Sequence, residues 1–167
     1  HRAMHYRHHY KNGIIESKER NRLVGKILDH HPEDQILISV ENTLHGEILY
    51  DMYKDRGAVF VHGKSKKEFR EDIFKKVQDG SQRIVITTRI FNESLTFPDL
   101  AVLVNMAGRR SGTELLQKYG RIQGKGNKKS VVIYEFRDNH SHYLEGHAKA
   151  RYRLLEKRNY EQQSVRL

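Results

Sequence analysis

Residues 35–88 read "QILISVENTLHGEILYDMYKDRGAVFVHGKSKKEFREDIFKKVQDGSQRIVITT", and this stretch decides the fold. Three runs in it, "QILISV" (35–40), "AVFVHG" (58–63) and "RIVITT" (83–88), are short, nearly continuous in apolar residues and rich in β-branched types. Such runs suit strands covered on both faces rather than on one. Between them lie two segments of helical period. In "NTLHGEILYDMYKD", Leu44, Ile48, Leu49 and Met52 are expected on one apolar face, and in "SKKEFREDIFKKVQDG" the same holds for Phe69, Ile73, Phe74 and Val77. Ser65 and Glu68 have the spacing of a capping box. Short strand–helix–strand crossovers of this kind predict parallel pairing in an open sheet.

Two further apolar runs extend the pattern, "LAVLVNMA" (100–107) and "SVVIYEF" (130–136), with the helical segment "SGTELLQKYGRI" just before the second. The helices "ESKERNRLVGKILDH" and "HSHYLEGHAKARYRLLEKR" flank the set. Pro32 and Pro98 both sit where a helix or strand should start. The fold class expected is therefore α/β, an open, mostly parallel sheet with helices on both faces. It is read as one domain over 1–167, with a helical lead-in over 1–32 and a C-terminal helix over 139–167.

The chain has 167 residues, enough for one domain with a substantial core. It has no cysteine, which excludes a disulfide framework and any cysteine zinc site. No apolar stretch is long enough to span a bilayer, so no membrane partner and a cytoplasmic location are expected. The formal charge is +10. A polyanion is the simplest partner for that excess, although "HRAMHYRHHYK" and "KARYRLLEKRNY" at the ends carry much of it.

In an open parallel sheet, ligands gather at the carboxyl ends of the strands. The residues expected there are Glu41 and Asn42, His62 to Ser65, Thr87 to Ser94, Gly108 to Gly112 and Arg137 to Asn139. Basic and hydroxyl groups outnumber acids along that edge, as a phosphate-binding rim would require. "GKS" at 63–65 follows a strand and opens a helix, but Ala58 stands where a P-loop needs its first glycine. A helix cap is the better reading. His1, His5, His8 and His9 include a pair four residues apart, yet no third ligand lies nearby, so a solvated terminal helix is expected and no metal site. No serine sits in a Gly-x-Ser-x-Gly elbow. Tyr119, Tyr134, Tyr143 and Tyr152 are read as packing residues.

Taken in order, four segments resemble the C-terminal, or second, RecA-like domain of superfamily 2 helicases, in its DEAD/H-like, phage and repair-type branch. "QILISVENTLHGEIL" resembles the motif IV strand and helix, and "VHGKSKKEFREDIFKKVQDG" the His-Gly turn, arginine-bearing helix and Phe-x-x-Gly that follow. "IVITTRIFNESLTFPDLAVLVNMAG" resembles motif V, and "TELLQKYGRIQGKGNKKSVVIYEFRD" motif VI with the next strand. The resemblance covers about Arg20 to Tyr160.

The resemblance implies a P-loop-type second helicase domain that completes an ATP site held mainly, with its Mg2+, by a first RecA-like domain of the same protein. Such a protein is an ATP-dependent helicase and NTP hydrolase, whereas this lobe alone would be inactive. The pattern Gln-x-x-Gly-Arg falls on Gln117, Gly120 and Arg121, which makes Arg121 the arginine finger, Gln117 its catalytic neighbour and Gly120 the point of close backbone approach. Lys118, Glu93 and Thr96 fall on further nucleotide-facing positions, and Asn42, His62, Gly63, Thr87, Thr88, Arg89, Arg109 and Arg110 on the strand-binding edge, with DNA preferred over RNA. Three departures are visible. Lys118 replaces an arginine, Thr96 replaces the Asp of Glu-Gly-x-Asp-x-Pro, and Gly124 replaces the second arginine. Thr96 and Gly124 support a second reading, a nucleic-acid-binding RecA-like module without motor activity. An unrelated doubly wound transferase is the third, on fold alone.

Overall fold

In a computed structural model, residues 2–88, 97–108, 131–139 and 141–157 are described, residues 2–4 by their backbone only. Strands β1 (Gln35–Ser39), β2 (Ala58–Val61), β3 (Ile84–Thr87), β4 (Leu100–Asn105) and β5 (Val132–Glu135) form one sheet in the order β2-β3-β1-β4-β5. Every pairing among them is parallel. The five runs expected as strands are therefore strands, and the sheet is wholly rather than mostly parallel over these residues.

Side chains alternate between two covered faces, which is why the strand interiors are nearly all apolar and the polar residues Gln35, Ser39, Thr87, Asn105 and Glu135 fall at strand ends. Ile36, Ile38, Ile84, Ile86, Val102 and Val104 meet Val24, Ile27 and Leu28 of α2 (Lys18–His30) and Leu49 and Tyr53 of α3 (Thr43–Tyr53). Leu37, Val85 and Leu103 meet Ile73 and Val77 of α4 (Lys67–Gln78) and Leu155 of α5 (His142–Lys157). The result is a three-layer sandwich with β1 at its centre, buried at every position.

Helix starts follow local chemistry. The Ser17 hydroxyl caps α2 by accepting from the Arg20 N–H at 3.3 Å, and the Asn42 side chain caps α3 by accepting from the Leu44 N–H at 2.8 Å. The capping box expected at Ser65 and Glu68 does not form. Lys66 occupies the cap of α4 without a side-chain bond, because the Ser65 hydroxyl accepts the His62 N–H at 3.0 Å instead.

The apolar face expected of α3 is also only partly correct. Leu49 is buried, but Leu44 and Met52 are exposed, and the buried stripe runs through His45, Gly46, Leu49 and Tyr53. Gly46 is there for space: a Cβ at this position would lie 2.1 Å from the Phe60 ring. Gly46→Ala should therefore destabilise the chain by about 1–3 kcal/mol, the usual cost of overpacking, read as a lower urea midpoint. Phe60→Leu in the same chain should recover part of the loss.

The amino-terminal segment is less solvated than its histidines suggest. α1 (Arg2–Tyr10) runs into a π-helical turn over Lys11–Ile15. Tyr10, Ile14 and Ile15 are buried with Leu144 of α5. The Tyr6 ring lies 5.4 Å from His147, and His9 lies 5.9 Å from Tyr143. His5 and His8 remain exposed, as expected.

Candidate functional site

Among the described residues, the carboxyl edge of the sheet divides into an open half and a sealed half. The open half lies over β2, β3 and β1, which are adjacent, so their exits stand side by side. β1 exits through half-buried Glu41 and exposed Asn42, and β2 through the His62–Ser65 turn. That turn consumes its own amides. The His62 N–H goes to the Ser65 hydroxyl, the Ser65 N–H to the His62 carbonyl at 2.9 Å, and the Lys64 N–H to His62 Nδ1 at 3.3 Å. A P-loop needs such amides turned outward onto phosphates, so the geometry agrees with the exclusion made from sequence. The His62 ring is held against Phe60 at 4.9 Å. Lys64 and Lys66 are exposed and make no ion pair among the described residues. At the exit of β3, Thr87 is 1% exposed and its hydroxyl donates to the Thr88 carbonyl at 3.0 Å, which leaves half-buried Thr88 as the more accessible of the two. The amino ends of α3 and α4 point to this same half; α3 carries no acid in its first turn, whereas α4 carries Glu68. The dipole of α3 favours an anion there.

The sealed half lies over β4 and β5. Arg20 Nε donates to Asp138 Oδ1 at 2.7 Å, and one Arg20 amino group donates to the Met106 carbonyl at 2.9 Å. Arg151 donates to Asp138 Oδ2 at 3.0 Å, to Glu135 Oε2 at 3.2 Å and to the Phe136 carbonyl at 3.1 Å. Asn105 closes the chain by donating to Glu135 Oε1 at 2.6 Å. Two guanidiniums thus meet two carboxylates, and the cluster is formally neutral. The Arg20 and Asp138 side chains are 6% and 4% exposed, so neither is offered to an external phosphate. The guanidinium of Arg20 also lies over the Phe136 ring, 4.6 Å from its centroid.

A second buried polar group lies beneath the start of α3. The Asn21 amide donates to the Ile15 carbonyl at 2.9 Å, which leaves its oxygen facing His45 Nε2 at 2.8 Å. Nε2 therefore carries the proton and His45 is neutral. Burial, with the nearby Arg20 charge second, lowers its pKa from 6.5 to about 3. The sign follows from linkage. The unfolded histidine binds a proton below about 6.5 and the folded one does not. This group's contribution to stability should be complete above that pH and be lost progressively as pH falls toward 3. The slope is at most about 1.4 kcal/mol per pH unit. His45→Gln should flatten the pH dependence of the urea midpoint between pH 7 and pH 4.5, after comparison at matched ionic strength.

Of the residues expected in the site, Asn42, His62, Gly63 and Thr88 come together on the open half, with Thr87 just beneath. Arg89, Glu93, Thr96, Arg109, Arg110, Gln117, Lys118, Gly120 and Arg121 lie outside the described residues. Sequence reasoning missed Arg20, Arg151 and His45, and placed Asp138 on the edge without its buried partners. The signal was present: Arg20 shares a helical stripe with Val24, Ile27 and Leu28, and Arg151 shares one with Leu144, Ala148 and Leu155. Arginines at positions that the apolar period reserves for the core call for buried partners. Among the described residues no group of three potential metal ligands assembles.

A family model described as the helicase conserved C-terminal domain matches residues 19–126, more than half of the chain. Among curated proteins, the DNA 3'-5' translocase XPB2 of Sulfurisphaera tokodaii is 26% identical over 126 residues, 75% of this chain and 28% of that protein. The ATP-dependent RNA helicase SUB2 of Saccharomyces cerevisiae is 26% identical over 122 residues, 72% of this chain and 27% of that protein. The chain thus spans about a quarter of the length of these relatives. Among solved structures, T4 UvsW superposes with a TM-score of 0.67 at 18% identity, covering 83% of this chain and 32% of that one. The C-terminal domain of Saccharomyces cerevisiae Dbp5 gives 0.65 at 16% identity, covering 83% and 78%. At these identities the structural likeness speaks for the fold.

Proposed function

The chain belongs to the helicase conserved C-terminal domain family, and on that premise we propose that it is the second motor lobe of an ATP-dependent helicase or translocase. ATP and Mg2+ would rest mainly on a first RecA-like lobe of the same protein, a reading supported by the His62–Ser65 turn, where amides bond within the turn instead of facing a phosphate. ATP supplies the phosphoryl group whose transfer drives the cycle. This lobe's part is to bring Arg121 to the transferred group, with Gln117 and Gly120 setting its approach and Glu93, Thr96 and Lys118 lining the nucleotide side. A guanidinium there stabilises charge that grows on the phosphoryl oxygens, and its planar fork does so better than an ammonium.

The same lobe would hold one nucleic-acid strand along its open edge. Asn42, His62, Gly63, Thr88 and the buried support of Thr87 form that edge, and Arg89, Arg109 and Arg110 would add backbone contacts. The observation that carries this reading is the division of the edge. Its β4–β5 half is closed by mutually paired arginines, while its β1–β3 half presents polar and basic groups and two helix amino ends. Contacts of this kind address sugar and phosphate, so binding should be largely independent of sequence. DNA is preferred over RNA in this proposal, and parallel titrations with the two decide it.

The test is strand-stimulated ATP hydrolysis by the protein that joins this lobe to its P-loop lobe, together with strand binding against salt. Lys64→Ala should weaken single-strand binding and make the plot of log K against log salt shallower by about 0.7, one phosphate contact. An unchanged slope would remove the His62–Ser65 turn from the strand path. Strand binding without any stimulated hydrolysis would favour the second reading, a holding module without motor activity, which the Thr96 and Gly124 departures motivate.

A further inference from the structure

The residues that follow β4 are held in part by a segment of the chain that the family match does not include. Just past β4, Met106 is still bonded to the sheet, its N–H donating to the Ser39 carbonyl at 2.8 Å. Beyond that bond the backbone is fixed by side chains. Arg20 donates to the Met106 carbonyl, and Asn105 accepts the Ala107 N–H at 3.2 Å. Tyr10, ninety-seven positions away, donates its hydroxyl to the Ala107 carbonyl at 2.5 Å. Gly108 then adopts φ +66, and a Cβ on it would lie 2.8 Å from Ile14 Cδ1. Ile14 itself is fully buried. Tyr10 caps the π-helical turn Lys11–Ile15 and Ile14 lies within it, a rare conformation that frequently marks functional sites. Tyr10, Ile14 and this turn precede position 19, where the family match begins.

We infer that the segment Tyr6–Ile15 is a positioning element for the exit of β4, with Tyr10 as its positioning residue. It sets the direction in which the chain leaves the sheet edge at Gly108. The hydroxyl of Tyr10 fixes one peptide plane, and the side chain of Ile14 holds the next residue in a conformation that only glycine adopts without strain. The catalytic consequence rests on the proposed function, because Gln117 and Arg121 are reached through this exit. A guanidinium that must meet a developing charge loses much of its effect when its root shifts by an ångström.

Two measurements test this. The first is amide hydrogen exchange on the 167-residue chain, which needs no catalytic activity. Tyr10→Phe should speed exchange over residues 105–108 about five-fold, the loss of one hydrogen bond, and leave β1 and β3 unchanged. Equal protection in both proteins would overturn the contact. The second is strand-stimulated ATP turnover in the two-lobed protein. Tyr10→Phe and Gly108→Ala should each lower kcat about ten-fold with KM for ATP and strand affinity unchanged. An unaltered kcat in an active parent would overturn the positioning role. A parent with no stimulated turnover would instead overturn the proposed function and the catalytic consequence with it, and the exchange result would still decide the contact.

Discussion

Arg121→Ala, in the protein that joins this lobe to its P-loop partner, is expected to lower strand-stimulated ATP turnover by about a thousand-fold or more. ATP affinity should change only a few-fold. The ground-state triphosphate would be held by the other lobe and its metal, so loss of a finger is felt when charge moves onto the transferred group. Steady-state hydrolysis and a fluorescent-nucleotide titration on the same preparation separate the two effects. Arg121→Lys should recover little, since a point charge cannot reproduce the planar fork. Turnover within three-fold of the parent would remove Arg121 from the reaction and leave the lobe a strand-holding module.

The second large effect concerns stability. Asp138→Ala should cost about 3–5 kcal/mol, because it leaves the buried Arg20 guanidinium without a carboxylate and Arg151 with Glu135 alone. Domains of this kind are stabilised by about 5–15 kcal/mol in all, so a fall of this size should be plain in a urea melt. Replacing the pair together, Arg20→Met with Asp138→Leu, should cost less than Asp138→Ala alone, since no charge is then left without a partner at that contact. A loss below about 1 kcal/mol for Asp138→Ala would mean that the cluster is hydrated in solution.

The sheet was legible because burial on both faces writes β-branched runs directly into the strands, as in "QILIS" and "RIVIT". The stripe of α3 was not. Hydrophobic period assigns Leu44 and Met52 to the core, but the helix buries His45, which is neutral there, and Gly46, which makes room for Phe60. Both roles depend on neighbours distant in sequence. The sealed half of the edge was hidden for the same reason, since Arg20 and Asp138 lie 118 positions apart. Tyr10 was read as part of a histidine-rich end, and its partner at Ala107 has no local signature. Residues of the open edge, such as Asn42 and His62, were found because strand ends can be counted from the runs themselves. The assignments on Gln117 and Arg121 came from resemblance and lie outside the described residues.

The order of the strands also bears on how the chain is made. Of the strands in this sheet β1 is made first, yet both of its neighbours, β3 and β4, come later in the chain. Its partner residues begin near Ile84, almost fifty positions downstream of Ile36. Until that point is synthesised, "QILIS" is an apolar segment without a lateral neighbour. Long loops must close before pairing returns any free energy, which slows acquisition of the native state and lengthens exposure to association with other nascent chains.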